Sequence, residues 1–296
     1  MTFLDSVKAS LSSRGIEFSS FCDMSNRAEA TIMNMYGAVF LSDYLFSLIE
    51  PVIPDLAAAM PIPFPGNVAV RESIRAALAS TRIKFPGKCI FPDEQAVTDF
   101  QSSVASAKET VGGVTIELQA KAMGALKKAE TEAKDASLTI TPNGDATAAR
   151  RSYADTQKFW DKRITSGIAH WKVRKNSKGE NLTQAEADAL NSLKGTAQIN
   201  KVLELEDRGF FFSTYHDKTI LASVAAPGTS QHLFMLALDV KEHKDKRVRK
   251  ILADNGWFQT VFKDHPHFTF LGMAESSLKS LGLQMKTDAG QEFWVP

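Results

Sequence analysis

The sequence predicts an α+β fold: a small antiparallel sheet flanked by helices, preceded by a mainly helical N-terminal region. Three observations predict it. Leu236-Ala237-Leu238-Asp239-Val240 is a short apolar run after the turn signal Pro227-Gly228-Thr229-Ser230, as a buried strand would be. His267-Phe268-Thr269-Phe270-Leu271 alternates polar and apolar residues, a second strand. From Val114 to about Ala136, Leu118, Met123, Leu126 and Ala129 form one apolar stripe, as on a long amphipathic helix.

Taken in order, residues 1–60 read as mostly helical. Ala28 to Ile49 reads as a buried helix pair, with Met33, Met35, Tyr36 and Phe40 as core. Pro51 to Pro65 is a proline-rich turn, a linker or the wall of a groove, and helical patterning resumes over Val68–Ser80. Pro86-Gly87-Lys88-Cys89 marks another turn. Asp93-Glu94 opens a helix through Gln101, with Pro92 at its first turn. After the Val114 helix, Leu138–Thr141 reads as a short strand and Phe159–Trp171 as a helix. The polar stretch Val173–Gln184 reads as a loop. Thr183 and Glu186 stand three apart, a capping box for a helix over Ala185–Leu193. Arg208–Ser213 is a hydrophobic strand, and Lys241–Lys250 is the solvated face of a helix.

Composition narrows the function classes. At 296 residues the chain can bury a large core, and 44% hydrophobic with 23% charged residues is ordinary globular usage. With 35 basic and 34 acidic residues the net charge is +1, which gives no electrostatic footprint for nucleic acid. Cys22 and Cys89 build no disulfide framework and match no zinc-binding cysteine spacing, although one bridge stays open. No apolar run is long enough to span a membrane, and the first residues lack the charged and apolar regions of a secretory signal.

The chemistry concentrates between Ser230 and Gly272. His232 and Asp239 lie seven residues apart in an apolar run, and Asp264-His265-Pro266-His267-Phe268 follows. Two imidazoles and a carboxylate are ordinary ligands of a catalytic zinc ion, which leaves a fourth position for water. A lone aspartate in a buried strand is costly unless paired or metal-bound. Asp264, three residues before the last ligand, would stand beside that water as general base. His216 and Lys218 could lie near the site, but nothing separates them from surface residues.

At these residues the chain resembles the zinc D-Ala-D-Ala carboxypeptidases and L,D-endopeptidases, the VanY-type metallopeptidases. Their signature is S-x-H-x-x-G-x-A-x-D followed by [E/D]-x-x-H, often ending in H-F. Ser230, His232, Ala237 and Asp239 match four of the five fixed positions, and Met235 stands in place of the glycine. Asp264-x-x-His267-Phe268 matches the second half. An upstream R-S-x-x-x-Q-like motif is matched by Arg151-Ser152, with Gln157 one place late. The resemblance implies Zn²⁺ held by His232, Asp239 and His267, and Asp264 as catalytic base. It further implies that Arg151 and Ser230 hold a substrate carboxylate, with His265 assisting the oxyanion.

The implied activity is hydrolysis of short peptides containing D-amino acids, such as peptidoglycan stems. The partner is then a peptide or peptidoglycan, outside the cytoplasm in most of the family. The resemblance covers about residues 112–275, so the chain divides into an N-terminal cap or accessory region, 1–111, and a metallopeptidase-like domain, 112–296. A long insertion separates Arg151 from His232. Two alternatives stay open: a non-catalytic, zinc-stabilised binding module on the same fold, and a helical interaction protein in which the histidines are incidental.

Overall fold

The structure, a computed structural model, describes residues 83–84, 91–279 and 283–295. The readings of residues 1–60, Pro51–Pro65, Val68–Ser80 and the Pro86 turn, with both cysteines, fall outside these residues. Within them the fold is α+β, with six α-helices and small antiparallel sheets.

Helix α1 (Glu94–Ser102) starts at Asp93, whose side chain accepts from the Ala96 amide. Pro92 therefore precedes the cap instead of occupying the first turn. Strands β1 (Ser106–Val111) and β2 (Val114–Gln119) form a hairpin with Val111 opposite Val114. The two-residue loop is Gly112-Gly113, both at positive φ, as a type I′ turn requires. The helix expected from Val114 thus begins only at α2 (Ala120–Asp135). Val114, Thr115 and Ile116 are β-branched and sit better in a pleated pair than in a first helical turn. The hairpin also joins residues before and after Gly112 in one core.

Leu138–Thr141 is not a ladder strand. It runs beside β3 (Ala237–Asp239), touching it through a single bridge from Pro142 to Val240 and the bond from Asn143 N to the Asp239 carbonyl. Helix α3 (Tyr153–Val173) is longer than expected, because Ser152 and Asp155 form a capping box at its start. Helix α4 (Gln184–Ser192) starts on the expected Thr183–Glu186 box, and α5 (Gly195–Asp207) follows. Arg208–Ser213 is no strand. Phe210 and Phe212 are fully buried plugs between helices, and among the described residues no strand lies alongside to pair with them.

Helix α6 (Lys246–Asp254) buries Val248 and Leu252 and leaves its basic face outside. Strands β4 (Trp257–Phe258) and β5 (His267–Phe270) join β3 in an antiparallel sheet of order β3-β5-β4. A C-terminal hairpin, β6 (Gln284–Asp288) and β7 (Gln291–Val295), closes the chain.

Two main cores result. One gathers α1, the β1–β2 hairpin, α2, α6 and the three-stranded sheet around Phe100, Leu118, Met123, Phe234, Trp257 and Phe268. The other is built by the segment between Arg151 and His232 alone, around Trp160, Ile164, Trp171, Leu190, Phe210 and Phe212. No helix among the described residues is long and apolar enough to cross a membrane.

Candidate metal centre

The sheet register builds the site. Asp239 ends β3 and His267 begins β5, and the two are directly opposed partners in the antiparallel ladder. Directly opposed residues project to the same face, so the pairing alone brings the carboxylate and the imidazole together. His232 comes from a 3₁₀ turn, Gln231–Phe234, that leads into β3. Two buried glutamines clamp this turn. Gln101 Nε2 donates to the Leu233 carbonyl at 3.1 Å, and Gln119 Nε2 donates to the Phe234 carbonyl at 2.8 Å. The Gln119 amide bonds the Met235 carbonyl at 3.0 Å.

Met235 ends the turn at φ 56°, ψ 36°, in the left-handed region. This is the position where the resembling signature has glycine, the residue that adopts such a conformation at no steric cost. Here a fully buried methionine holds that left-handed position.

Three atoms converge. His232 Nε2 lies 3.2 Å from His267 Nδ1 and 3.4 Å from Asp239 Oδ1, and His267 Nδ1 lies 3.2 Å from the same oxygen. Ligand atoms at tetrahedral zinc distances are separated by about 3.3 Å, so the triangle matches one face of such a polyhedron. The outward ring nitrogens fix the tautomers. His232 Nδ1 lies 3.1 Å from the Ala149 carbonyl, and His267 Nε2 lies 2.8 Å from Gln231 Oε1. With N–H groups donated outward, both inward nitrogens present lone pairs to each other and to a carboxylate. A cation between them would relieve that repulsion, and outward bonds of this kind are how metal-binding histidines are oriented. His232, Asp239 and His267 thus form a buried group that could hold a metal ion.

Electrostatics agree with a lone-pair cluster. Burial, reinforced by the nearby Arg151 guanidinium, pushes His232 down to about 4, so it is neutral at pH 7. Burial alone would raise Asp239, but the two histidines, when they carry protons, pair with it and hydrogen-bond to it, which holds it well below the usual carboxylate range. Its second oxygen, Oδ2, accepts from Arg151 Nη2 at 2.8 Å.

The site opens on a cavity of about 560 Å³ lined by Arg151, Ser230, His232, Asp239, Asp264 and His267, among others. Asp264 is surrounded by protein, which raises its carboxyl, yet its surface stays open to the cavity. Desolvation is the cause, and the shift is upward. Ser230 is buried at the start of the ligand turn and also lines the cavity. Arg151 lies on the wall with Nε donated to the Thr147 carbonyl, Nη2 to Asp239, and its guanidinium 5.0 Å from the Phe159 ring. Arg150 turns away to Glu117 and Gln101.

His265 does not join this group. Its Nε2 pairs with Asp288 Oδ2 at 3.0 Å, its ring packs on Phe293, and it is not among the cavity-lining residues. Gln157 faces Asp161 and Gln198. His216 stacks on His170 within the insertion, away from the ligands.

Sequence reasoning passes over Gln231, which orients His267 and also accepts from Thr269 Oγ1. Its only signal is a polar side chain flanking a ligand in an apolar stretch. It also passes over the face of α3 that carries Thr156, Phe159 and Arg163 into the cavity. The i, i+3, i+7 spacing of these three residues was a usable signal. No protein-family model, no curated protein and no solved structure matches the chain.

Proposed function

We propose that the chain is a zinc-dependent peptidase that hydrolyses short peptides containing D-amino acids, with peptidoglycan stem peptides as the substrate class. The observation that carries this reading is the His232–Asp239–His267 triangle, its lone pairs turned inward, set beside a cavity that Asp264 also enters. The residue types and order resemble the VanY-type metallopeptidases, whose substrates supply the D-amino acid assignment.

His232 Nε2, His267 Nδ1 and Asp239 Oδ1 would hold the ion. Zinc, when bound, supplies Lewis acidity toward water and toward the scissile carbonyl. Asp264 takes the proton of the attacking water and returns it to the departing amine. Its raised pKa suits this exchange, because a base nearer to neutrality is also a competent acid. Arg151 and Gln231 keep Asp239 and His267 in place, and Ser230 meets the substrate at the cavity wall.

The test combines metal content with turnover. The purified protein is expected to carry about one zinc per chain, lost in His232→Ala and in His267→Ala. Asp264→Asn is expected to keep the zinc and lose on the order of a hundred- to ten-thousandfold in rate. Zinc retained at full occupancy in either histidine variant sinks the ligand set. Zinc without hydrolysis of any D-amino acid peptide by the parent protein would instead make this a metal-stabilised binding module.

A further inference from the structure

We propose that Arg163, on the inserted helix α3, forms a second recognition point in the cavity and binds a carboxylate of the ligand. This rests on the peptidase reading only for the identity of that ligand. Arg151 is the arginine closest to the metal triangle, but the side-on fork made by its Nε and Nη2 is already committed to the Thr147 carbonyl and to Asp239. Arg163 also lines the cavity, and no hydrogen bond or ion pair engages it among the described residues. Its Nε is fully buried with no partner. A buried guanidinium N–H without an acceptor costs free energy that a bound anion would offset.

The surroundings select the sign and the geometry. Lys162 and Lys263 line the same cavity, while its acids, Asp239 and Asp264, belong to the metal end. Lys263 makes a long contact of 3.9 Å to Asp288 and lies 5.4 Å from the Phe262 ring centroid. Helix α3 begins beside the site, where the Arg151 amide bonds the His232 carbonyl, and then runs along the wall. Phe159 stacks under Arg151, and Arg163 follows one turn later, about 6 Å further along the axis. An anionic group at Arg163 therefore belongs to a part of the ligand that extends away from the metal. A planar carboxylate matches the guanidinium fork, and a peptide offers one either at its C-terminus or on an acidic side chain.

Calorimetric titration of the zinc-loaded Asp264→Asn protein separates these sources without cleavage of the probe. The probes are a tripeptide ending in D-Ala-D-Ala as free acid, its C-terminal amide, and the amide carrying an upstream Glu in place of Gln. At least one carboxylate probe is expected to bind roughly tenfold or more tighter than its neutral counterpart, the size of a charge-assisted hydrogen bond. Adding Arg163→Gln should bring that ratio below about twofold, and Arg163→Lys should restore it only in part. The probe whose preference depends on Arg163 identifies the carboxylate. No preference in the parent, or an unchanged preference in Arg163→Gln or Arg163→Lys with zinc retained, overturns the proposal. If the wild-type protein cleaves nothing but the Arg163-dependent preference stands, the peptidase reading fails and this one survives.

Discussion

Met235 shows how one residue can carry two opposing costs. Its left-handed backbone costs a non-glycine residue about 1–2 kcal/mol, while its buried side chain contributes packing. Met235→Ala keeps the strain and is expected to lose about 2–5 kcal/mol in denaturant unfolding. Met235→Gly removes a further buried carbon and adds unfolded-state freedom, together about 1–2 kcal/mol, but relieves a similar amount of strain. The two variants should therefore be of nearly equal stability. A glycine variant weaker than alanine by more than about 1.5 kcal/mol would show that Met235 sits unstrained. The His232–Asp239–His267 group was legible in the sequence, because imidazoles and a carboxylate in an apolar setting are chemically conspicuous. The partners that orient them were not. Gln231 has no such signature, and Ala149 contributes only a backbone carbonyl, which any residue has.

Among the elements, α3 depends on one close approach. A Cβ built on Gly167 would lie 2.2 Å from Phe212 Cδ1, inside the core of the insertion. Helix propensity would favour alanine there by about 1 kcal/mol, but the steric cost of moving a fully buried phenylalanine is larger. Gly167→Ala should lower the thermal midpoint. A neutral or stabilising result would mean that Phe212 relocates freely. The Thr183–Glu186 capping box was readable because capping is local chemistry, and it stands where the spacing put it. The Val114 segment misled because apolar positions 118, 123, 126 and 129 continue one stripe through two elements. Only the Gly112-Gly113 turn and its neighbouring strand decide that the first six residues pair as β2. Arg208–Ser213 misled for the converse reason: its apolar pattern suits a strand, but its burial is between helices.

For the whole molecule, the α+β architecture and the two strands bearing Asp239 and His267 were predictable from local texture. The division of the packing into two cores was not, because it depends on which long-range partners the insertion finds. The buried site also makes the metal-free protein sensitive to acid. His232 is depressed to about 4 in the folded chain against about 6.5 unfolded, so its contribution is complete above about 6.5 and is lost as pH falls toward 4. Asp239, also depressed, adds loss only below the ordinary carboxylate range. The chelated protein should thus lose up to roughly 3 kcal/mol between pH 6.5 and 4. His232→Gln should flatten that part of the stability curve, and an equally steep curve in the variant would place the titration elsewhere.

All three candidate ligands and Asp264 lie between residues 230 and 267, whereas Thr156, Phe159, Lys162, Arg163 and Leu221, which also line the cavity, come from the segment between Arg151 and His232 with its own core. The candidate metal group and much of the remaining cavity lining are therefore encoded in separate stretches of chain. That segment can lengthen, change charge or be exchanged for another helical unit while the β3–β5 register keeps Asp239 opposite His267 and Gln101 and Gln119 hold the His232 turn. A lineage, or a protein engineer, can reshape and recharge this cavity by rewriting one contiguous cassette.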